Sequence, residues 1–320
     1  MKQINKLKLK KSIYTIKFLL IFIAVLCNSW SCSSKKSADD NQSHPQQGTI
    51  RICVDESFEP IISQQILVFE SSFPKAHIIV KYEPESSCFK DFQQDSTAMI
   101  IVARGLTEDE SDYYKSILGH YPQFSVLAFD AVSVVVNAGA DDSIFSLQRL
   151  YHLLTDATPG KSEAIVDGDN ATSTVRYLMD SVAKGKPFGA NVKGVHGSKA
   201  VLDAVAANKN AIGFVGSSWI GNGDYDRSQQ AYENKVHLAY VQGKKDTTTY
   251  AKPSQATIFS EQYPLYRPLY CVLKDNDIGL GASFYNFMSF QRGQLIFRVG
   301  NLVPAKMDFS IRTIREKNGN

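Results

Sequence analysis

The chain has 320 residues, 43% hydrophobic and 21% charged, with Lys+Arg 35 against Asp+Glu 32. That composition excludes wholesale disorder and collagen-like repeats, and the length allows two lobes with a core each. The formal charge of +3 belongs to the N-terminus: Lys2, Lys6, Lys8, Lys10, Lys11 and Lys17 precede residue 32 with no acid among them, which leaves 29 basic against 32 acidic residues beyond and no basic stripe for nucleic acid.

Residues 18–27 form an unbroken apolar run behind the lysines, followed by Ser29, Trp30, Ser31 and Cys32. Ten apolar residues are too few to span a bilayer comfortably but suit the apolar region of an export signal. Cys32, preceded by the small Ser31, resembles the acylated cysteine of bacterial lipoproteins. Residues 1–31 are therefore expected to be a lipoprotein signal peptide and Cys32 the lipidation site. The next stretch is rich in Ser, Lys, Asp, Gln and Asn and has no aliphatic residue larger than Ala38. It cannot bury a core, so residues 32–47 read as a flexible tether.

The ordered chain then alternates. Residues 49–54 read as a strand, 60–73 as a helix with apolar residues at 61, 62, 66, 69 and 73, and 77–82 and 99–102 as strands. Thr107 stands three residues before Glu110, a capping box that opens a helix to residue 118. Residues 124–137 are β-rich. Beyond them come a helix over 146–154, a strand at 164–166, a polar turn at 167–171 and helices over 172–182 and 198–207. Strands at 211–215, 236–241 and 269–273 and a helix over 284–298 complete the pattern. It predicts an α/β protein with mainly parallel sheets.

Catalytic signatures are missing: no G-x-S-x-G elbow, H-E-x-x-H pair, P-loop or zinc spacing occurs, so neither an enzyme, a metal site nor a cofactor is expected. Cys53, Cys88 and Cys271 lie in apolar stretches and read as small buried hydrophobes. If two of them pair, the pair is Cys53–Cys88.

Three turns instead suit an anion. Each carries hydroxyls, follows a strand and opens a helix, whose first amides are unpaired and whose dipole is positive there. The first has Ser57 at the cap and Pro60 in the first turn. The second is Glu85, Ser86, Ser87 and Cys88, and the third runs from Asn170 to Thr174. Read alone, each is a helix cap. Arg176 is expected to face solvent or Asp180, Asp130 to be structural, and Tyr263, Tyr266 and Tyr270 to be core.

Taken in order, these segments resemble the phosphate-binding proteins of bacterial ABC importers. Residues 99–106 are similar to that family's strand ending Ser-Ser-Arg-Pro-Leu, residues 129–137 look like its crossover strand, and residues 211–215 match its Gly-Ala-Ile-Gly-Tyr strand. Residues 263–270, and 293–300 with Pro304, match its late segments. The resemblance implies a two-lobed, type II periplasmic-binding-protein-like fold with two β crossovers. Lobe one would be 48–133 plus 252–320, and lobe two 134–251. It implies ligand contacts from Ser57 and Phe58, from Ser86 or Ser87, and from Thr172, Ser173 and Thr174. The family's loop arginine is missing from residues 168–174, and Ser173 replaces a glycine. At the end of the third strand some members carry an aspartate that accepts a proton from phosphate and helps reject sulfate, where this chain has Arg104. Arg104 is thus expected to supply the cation as a bidentate fork, the alternative being an ion pair with an acid such as Glu56.

The expectation is a lipid-anchored, monomeric receptor on the periplasmic face or cell surface. It would capture phosphate or a similar oxyanion for ABC permease subunits. The alternative is a divergent binding module, with altered or no ligand, acting in sensing or adhesion.

Overall fold

The computed structural model describes residues 44–158, 160–168, 172–220, 232, 234–274 and 279–306. The expected signal peptide, Cys32 and most of the expected tether lie outside them, as do Asn170 and Ala171 of the third turn.

The first half is built on β1 (Gln47–Asp55), flanked in parallel by β2 (Lys75–Glu83) and β3 (Thr97–Val102). Parallel neighbours need crossovers, and α1 (Glu59–Ser72) and α2 (Glu85–Phe92) supply them. Next comes α3 (Glu108–Leu118), whose Thr107 and Glu110 form the expected reciprocal cap. Strand β4 (Gln123–Asn137) then runs through both halves.

Behind it lie β5 (Ile144–Phe145), α4 (Leu147–Thr155), β6 (Glu163–Asp167), α5 (Ser173–Ser181), β7 (Val192–Val195), α6 (Gly197–Ala207) and β8 (Ala211–Gly216). Strands β6, β7 and β8 repeat the parallel arrangement. Every residue of β8 is buried, which explains its continuous apolar sequence. The short strands β9 (Val236–Leu238), β10 (Tyr240–Gln242) and β11 (Tyr250–Ala251) lead through α7 (Gln255–Phe259) to β12 (Tyr266–Leu273). Helices α8 (Leu280–Ser289) and α9 (Gln291–Val299) and strand β13 (Val303–Pro304) follow.

The main sheet runs β2-β1-β3-β12-β4-β8-β6-β7, with β9 and β13 also on β4. Both wings are parallel, but β12 and β4 are antiparallel to their neighbours. The sheet is therefore mixed at its centre, where the chain passes between halves. Strand β4 pairs with β12 through Ala131 and with β8 from Val132 onward. The returning segment runs beside it at that point, with Val132 N–H donating to Leu265 O over 2.8 Å.

Separate cores flank this crossing. One packs Phe69, Phe284, Met288 and Phe297 against β1, β3 and β12, and the other packs Leu150, Leu154, Leu178 and Phe214. Each such side chain contributes about 1.5–3 kcal/mol by leaving water.

Two expectations change. The helix read over 284–298 is two helices, α8 and α9, broken at the extended Phe290. The break folds α9 back onto α8 so tightly that a Cβ on Gly293 would lie 2.4 Å from Met288 Cα. The cysteines also differ from the reading as three free hydrophobes. Cys53 of β1 and Cys88 of α2 form a disulfide, and Cys271 alone is free and buried.

Candidate functional site

Strand β1 ends at Asp55, and the chain turns at once through a 3-10 turn, Glu56–Phe58, into α1. Asp55 Oδ1 accepts the Ser57 N–H over 2.9 Å, so Asp55 caps the turn, and the position before α1 is Phe58 rather than the expected Ser57. The Ser57 hydroxyl is left free of capping and points into the buried interior.

Across the crossing, β6 ends at Asp167 and α5 begins. Thr172 is its cap, accepting the Val175 N–H at 3.2 Å and donating to Asp167 O at 2.9 Å. With Thr172 so engaged, Ser173 and Thr174 in the first turn direct their hydroxyls to Ser57, at 3.4 Å and 3.2 Å. Asp167 Oδ2 accepts Ser198 Oγ at 2.9 Å and lies 3.4 Å from Ser57 Oγ.

Arg267 of β12 completes the cluster. Its Nη1 donates to Ser173 Oγ at 2.8 Å and Thr174 Oγ1 at 3.2 Å, and its Nε and Nη2 both donate to Asp130 Oδ2 at 3.2 Å. Phe58 lies under the guanidinium, 4.9 Å from ring centre to Cζ. Asp130 is held from the other side by the Ser217 N–H and hydroxyl, and Trp219 Nε1 donates to Ser57 O. Gly216 permits this closeness, because a Cβ there would stand 3.0 Å from Ser57 O and 3.2 Å from Asp130 Oδ2. Arg267 is 2% exposed.

The electrostatics are unusual. Burial raises the carboxyls of Asp55, Asp130 and Asp167, opposed in each case by Arg267. Asp55 rises to about 7, with Glu85 adding to burial. Its Oδ2 is buried without a hydrogen-bond partner among the described residues. Three buried carboxyls thus share one fully buried guanidinium.

Other expected residues sit elsewhere. Ser86 and Ser87 are half-buried within α2, which starts at Glu85, and among the described residues neither hydroxyl joins the cluster. Glu85 is the member of that turn that reaches across: it accepts Arg176 Nε of α5 at 2.6 Å and the Ala103 N–H at 2.9 Å. Arg176 therefore faces the first half instead of solvent, keeping only a 3.8 Å approach to Asp180. Arg104 is gripped at both Nη atoms by Glu110, at 2.7 Å and 2.8 Å, and stacks on Phe89. The partner is Glu110, not Glu56, because the capping box turns Glu110 back toward the strand end. The cation of the cluster is Arg267, a residue of segment 263–270 to which the sequence alone assigns no role. Its one sequence signal was a charge amid apolar strand residues.

The Ser57, Ser173 and Thr174 hydroxyls and the Arg267 guanidinium form one buried hydrogen-bonded cluster. Among the described residues no histidine hydrogen-bonds any of these hydroxyls; the Asp167 carboxylate lies 3.4 Å from Ser57 Oγ. The metal-type trio Cys53, Glu83 and Asp91 is already engaged, by the disulfide and by Lys81 at 3.0 Å and 2.7 Å.

A family model described as a PBP superfamily domain matches residues 39–290. The chain belongs to the PBP superfamily. Among curated relatives, "Phosphate-binding protein PstS 2" of Streptococcus pneumoniae is 29% identical over 122 residues, which is 38% of this chain and 35% of that protein. "Phosphate-binding protein PstS" of Staphylococcus epidermidis is 22% identical over 213 residues, 63% of this chain and 61% of that protein. This PBP-superfamily chain thus spans between about a third and three fifths of the length of those relatives. Among solved structures, a putative phosphate ABC transporter substrate-binding protein with bound phosphate from Clostridium perfringens superposes with a TM-score of 0.65 at 17% identity. It covers 81% of this chain and all of the other, and at that identity the likeness establishes the two-lobed α/β fold.

Proposed function

We propose that this chain is a lipid-anchored extracytoplasmic solute-binding protein that captures phosphate, or a similar oxyanion, between its lobes for ABC permease subunits. The observation that carries the reading is the convergence of Arg267 with the Ser57, Ser173 and Thr174 hydroxyls at the start of α5. Such a set offers an anion a cation, three hydroxyl donors and the unpaired first amides of a helix. Arg267 stands in for the missing loop arginine. Thr172 shapes the turn, and Phe58 supports the guanidinium.

Asp55 supplies selectivity. Its buried Oδ2 has no hydrogen-bond partner among the described residues, and once ionised it accepts a proton from bound phosphate. Sulfate carries no proton at neutral pH and meets an unpaired acceptor instead. Ser86, Ser87 and Arg104 fall outside this ligand set. Export through residues 1–31, a lipid on Cys32 and a monomeric domain at the membrane surface belong to the same reading. No chemical step is involved; hinge closure couples capture to delivery. The names of the relatives support phosphate as the ligand.

The surplus of buried carboxyls favours a second reading, a binding module whose ligand has changed. Calorimetric titration of the ligand-stripped chain decides between them. Phosphate should bind and sulfate should bind far more weakly. The double change Ser173→Ala/Thr174→Val should weaken phosphate roughly 100-fold, since each hydrogen bond to a charged group is worth about 1.5–3 kcal/mol. No heat with phosphate or arsenate would leave the second reading standing.

A further inference from the structure

On the second half, one face of α4 and the end of α5 enclose an open groove. A cavity of about 630 Å³ is lined by Leu147, Tyr151, Val182, Lys184 and Lys244 among others. A second cavity of about 300 Å³ shares Ser181 and Lys244 with it and extends toward Pro264 and Tyr266.

We propose that this groove docks an acidic, leucine-bearing segment of a protein partner, held by Lys184, Lys186 and Lys244 beside Tyr151. The proposal stands apart from the anion reading of the cleft.

Charge complementarity carries it. Lys184 and Lys186 point their ammonium groups at the Tyr151 ring, at 5.8 Å and 5.3 Å. They reach it because Lys184 and Gly185 are both left-handed, with φ of 55° and 78°, a tight turn that brings the two lysines round together. The end of α5 does not need them. Its carbonyls are closed by backbone, with Ala183 N–H on Leu178 O at 2.8 Å and Gly185 N–H on Met179 O at 2.9 Å. Lys244 has no acidic partner among the described residues. The acids at the border are engaged: Glu261 pairs with Lys245 and Asp156 with His152. An anion entering the groove therefore meets lysines that carboxylates have not already neutralised.

Shape and lining choose the class of ligand. Two joined cavities exceed what a small inorganic anion fills. The partly exposed Leu147 and the ring of Tyr151 give an apolar wall that an aliphatic side chain covers. A bilayer surface cannot enter a concavity, whereas an extended peptide can. Lysines on flexible stems suit several carboxylates spread along a chain better than one planar group.

The test is fluorescence anisotropy with the intact chain and a labelled peptide of interspersed Glu and Leu. The Glu/Leu peptide should bind and its Lys/Leu counterpart should not. Lys184→Glu/Lys244→Glu should weaken binding about ten-fold or more, as reversal of docking charges does. Lys75→Glu/Lys90→Glu, exposed lysines outside the groove, should leave it unchanged, and saturating phosphate should not displace the peptide. No binding of the Glu/Leu peptide overturns the proposal. So do equal losses in both double variants, displacement by phosphate, or a groove variant that loses only sedimentation with phosphatidylglycerol vesicles.

Discussion

Two arginines of the first half, Arg104 and Arg267, sit in opposite surroundings. Arg104 closes β3 at the rim, about a third exposed, forked by a glutamate from the adjoining helix and stacked on an aromatic ring. Arg267 lies in the centre, 2% exposed, divided between one buried carboxylate and two hydroxyls of the other half. The chemical group is the same and the surroundings invert its value. At the rim, water screens the pair and either partner can be lost cheaply. In the centre, each charge depends on the other, because removing one leaves its partner buried and uncompensated.

The largest expected effect follows from that dependence. Arg267→Ala should abolish measurable phosphate binding and lower unfolding free energy by about 3–5 kcal/mol, the usual cost of orphaning a buried charge. Urea unfolding with calorimetry on the same sample checks both. Undiminished phosphate affinity in a folded variant would break the comparison.

A pH series on Asp55 sharpens it. The native carboxyl holds its proton to about 7, against the ordinary aspartate value of 3.8. The native state thus binds the extra proton between those values, and this group's contribution to stability declines as pH rises from about 4 to 7. Asp55→Asn removes that decline and should stabilise the ligand-free chain by roughly 2–4 kcal/mol at pH 7.5 relative to wild type. The same change should erode the preference for phosphate over sulfate. An unchanged pH slope would show that Asp55 is not the group buried charged.

The smallest effect belongs to the rim. Arg104→Ala should cost less than about 1 kcal/mol and change phosphate affinity less than about two-fold. A large loss of affinity there, with stability intact, would return the cation to Arg104.

Much of the fold was legible. Residues 124–137 are so rich in β-branched and aromatic residues that β4 follows from them almost residue for residue, and the capping box at Thr107 marks α3 unaided. The helix starts at 57–60 and 172–174 were visible as hydroxyls before periodic apolar residues. Less legible was the break at Phe290, since the apolar period continues through it and only the contact made by Gly293 requires the turn. The disulfide was likewise undecided, because Cys53 and Cys88 are 35 residues apart and only the packing of α2 on β1 brings their Cα atoms to 5.2 Å.

By itself, the sequence determined most of the elements and the two helix starts that enter the cluster, since capping and periodicity act over three or four residues. Which arginine is buried at the centre was decided only by tertiary structure. Arg267 meets Asp130 across a ladder between strands 137 residues apart, and meets Ser173 and Thr174 across the two halves. No local rule distinguishes it from Arg104, because burial is a property of the assembled sheet, and burial is what turns an ordinary guanidinium into the one that the centre cannot lose.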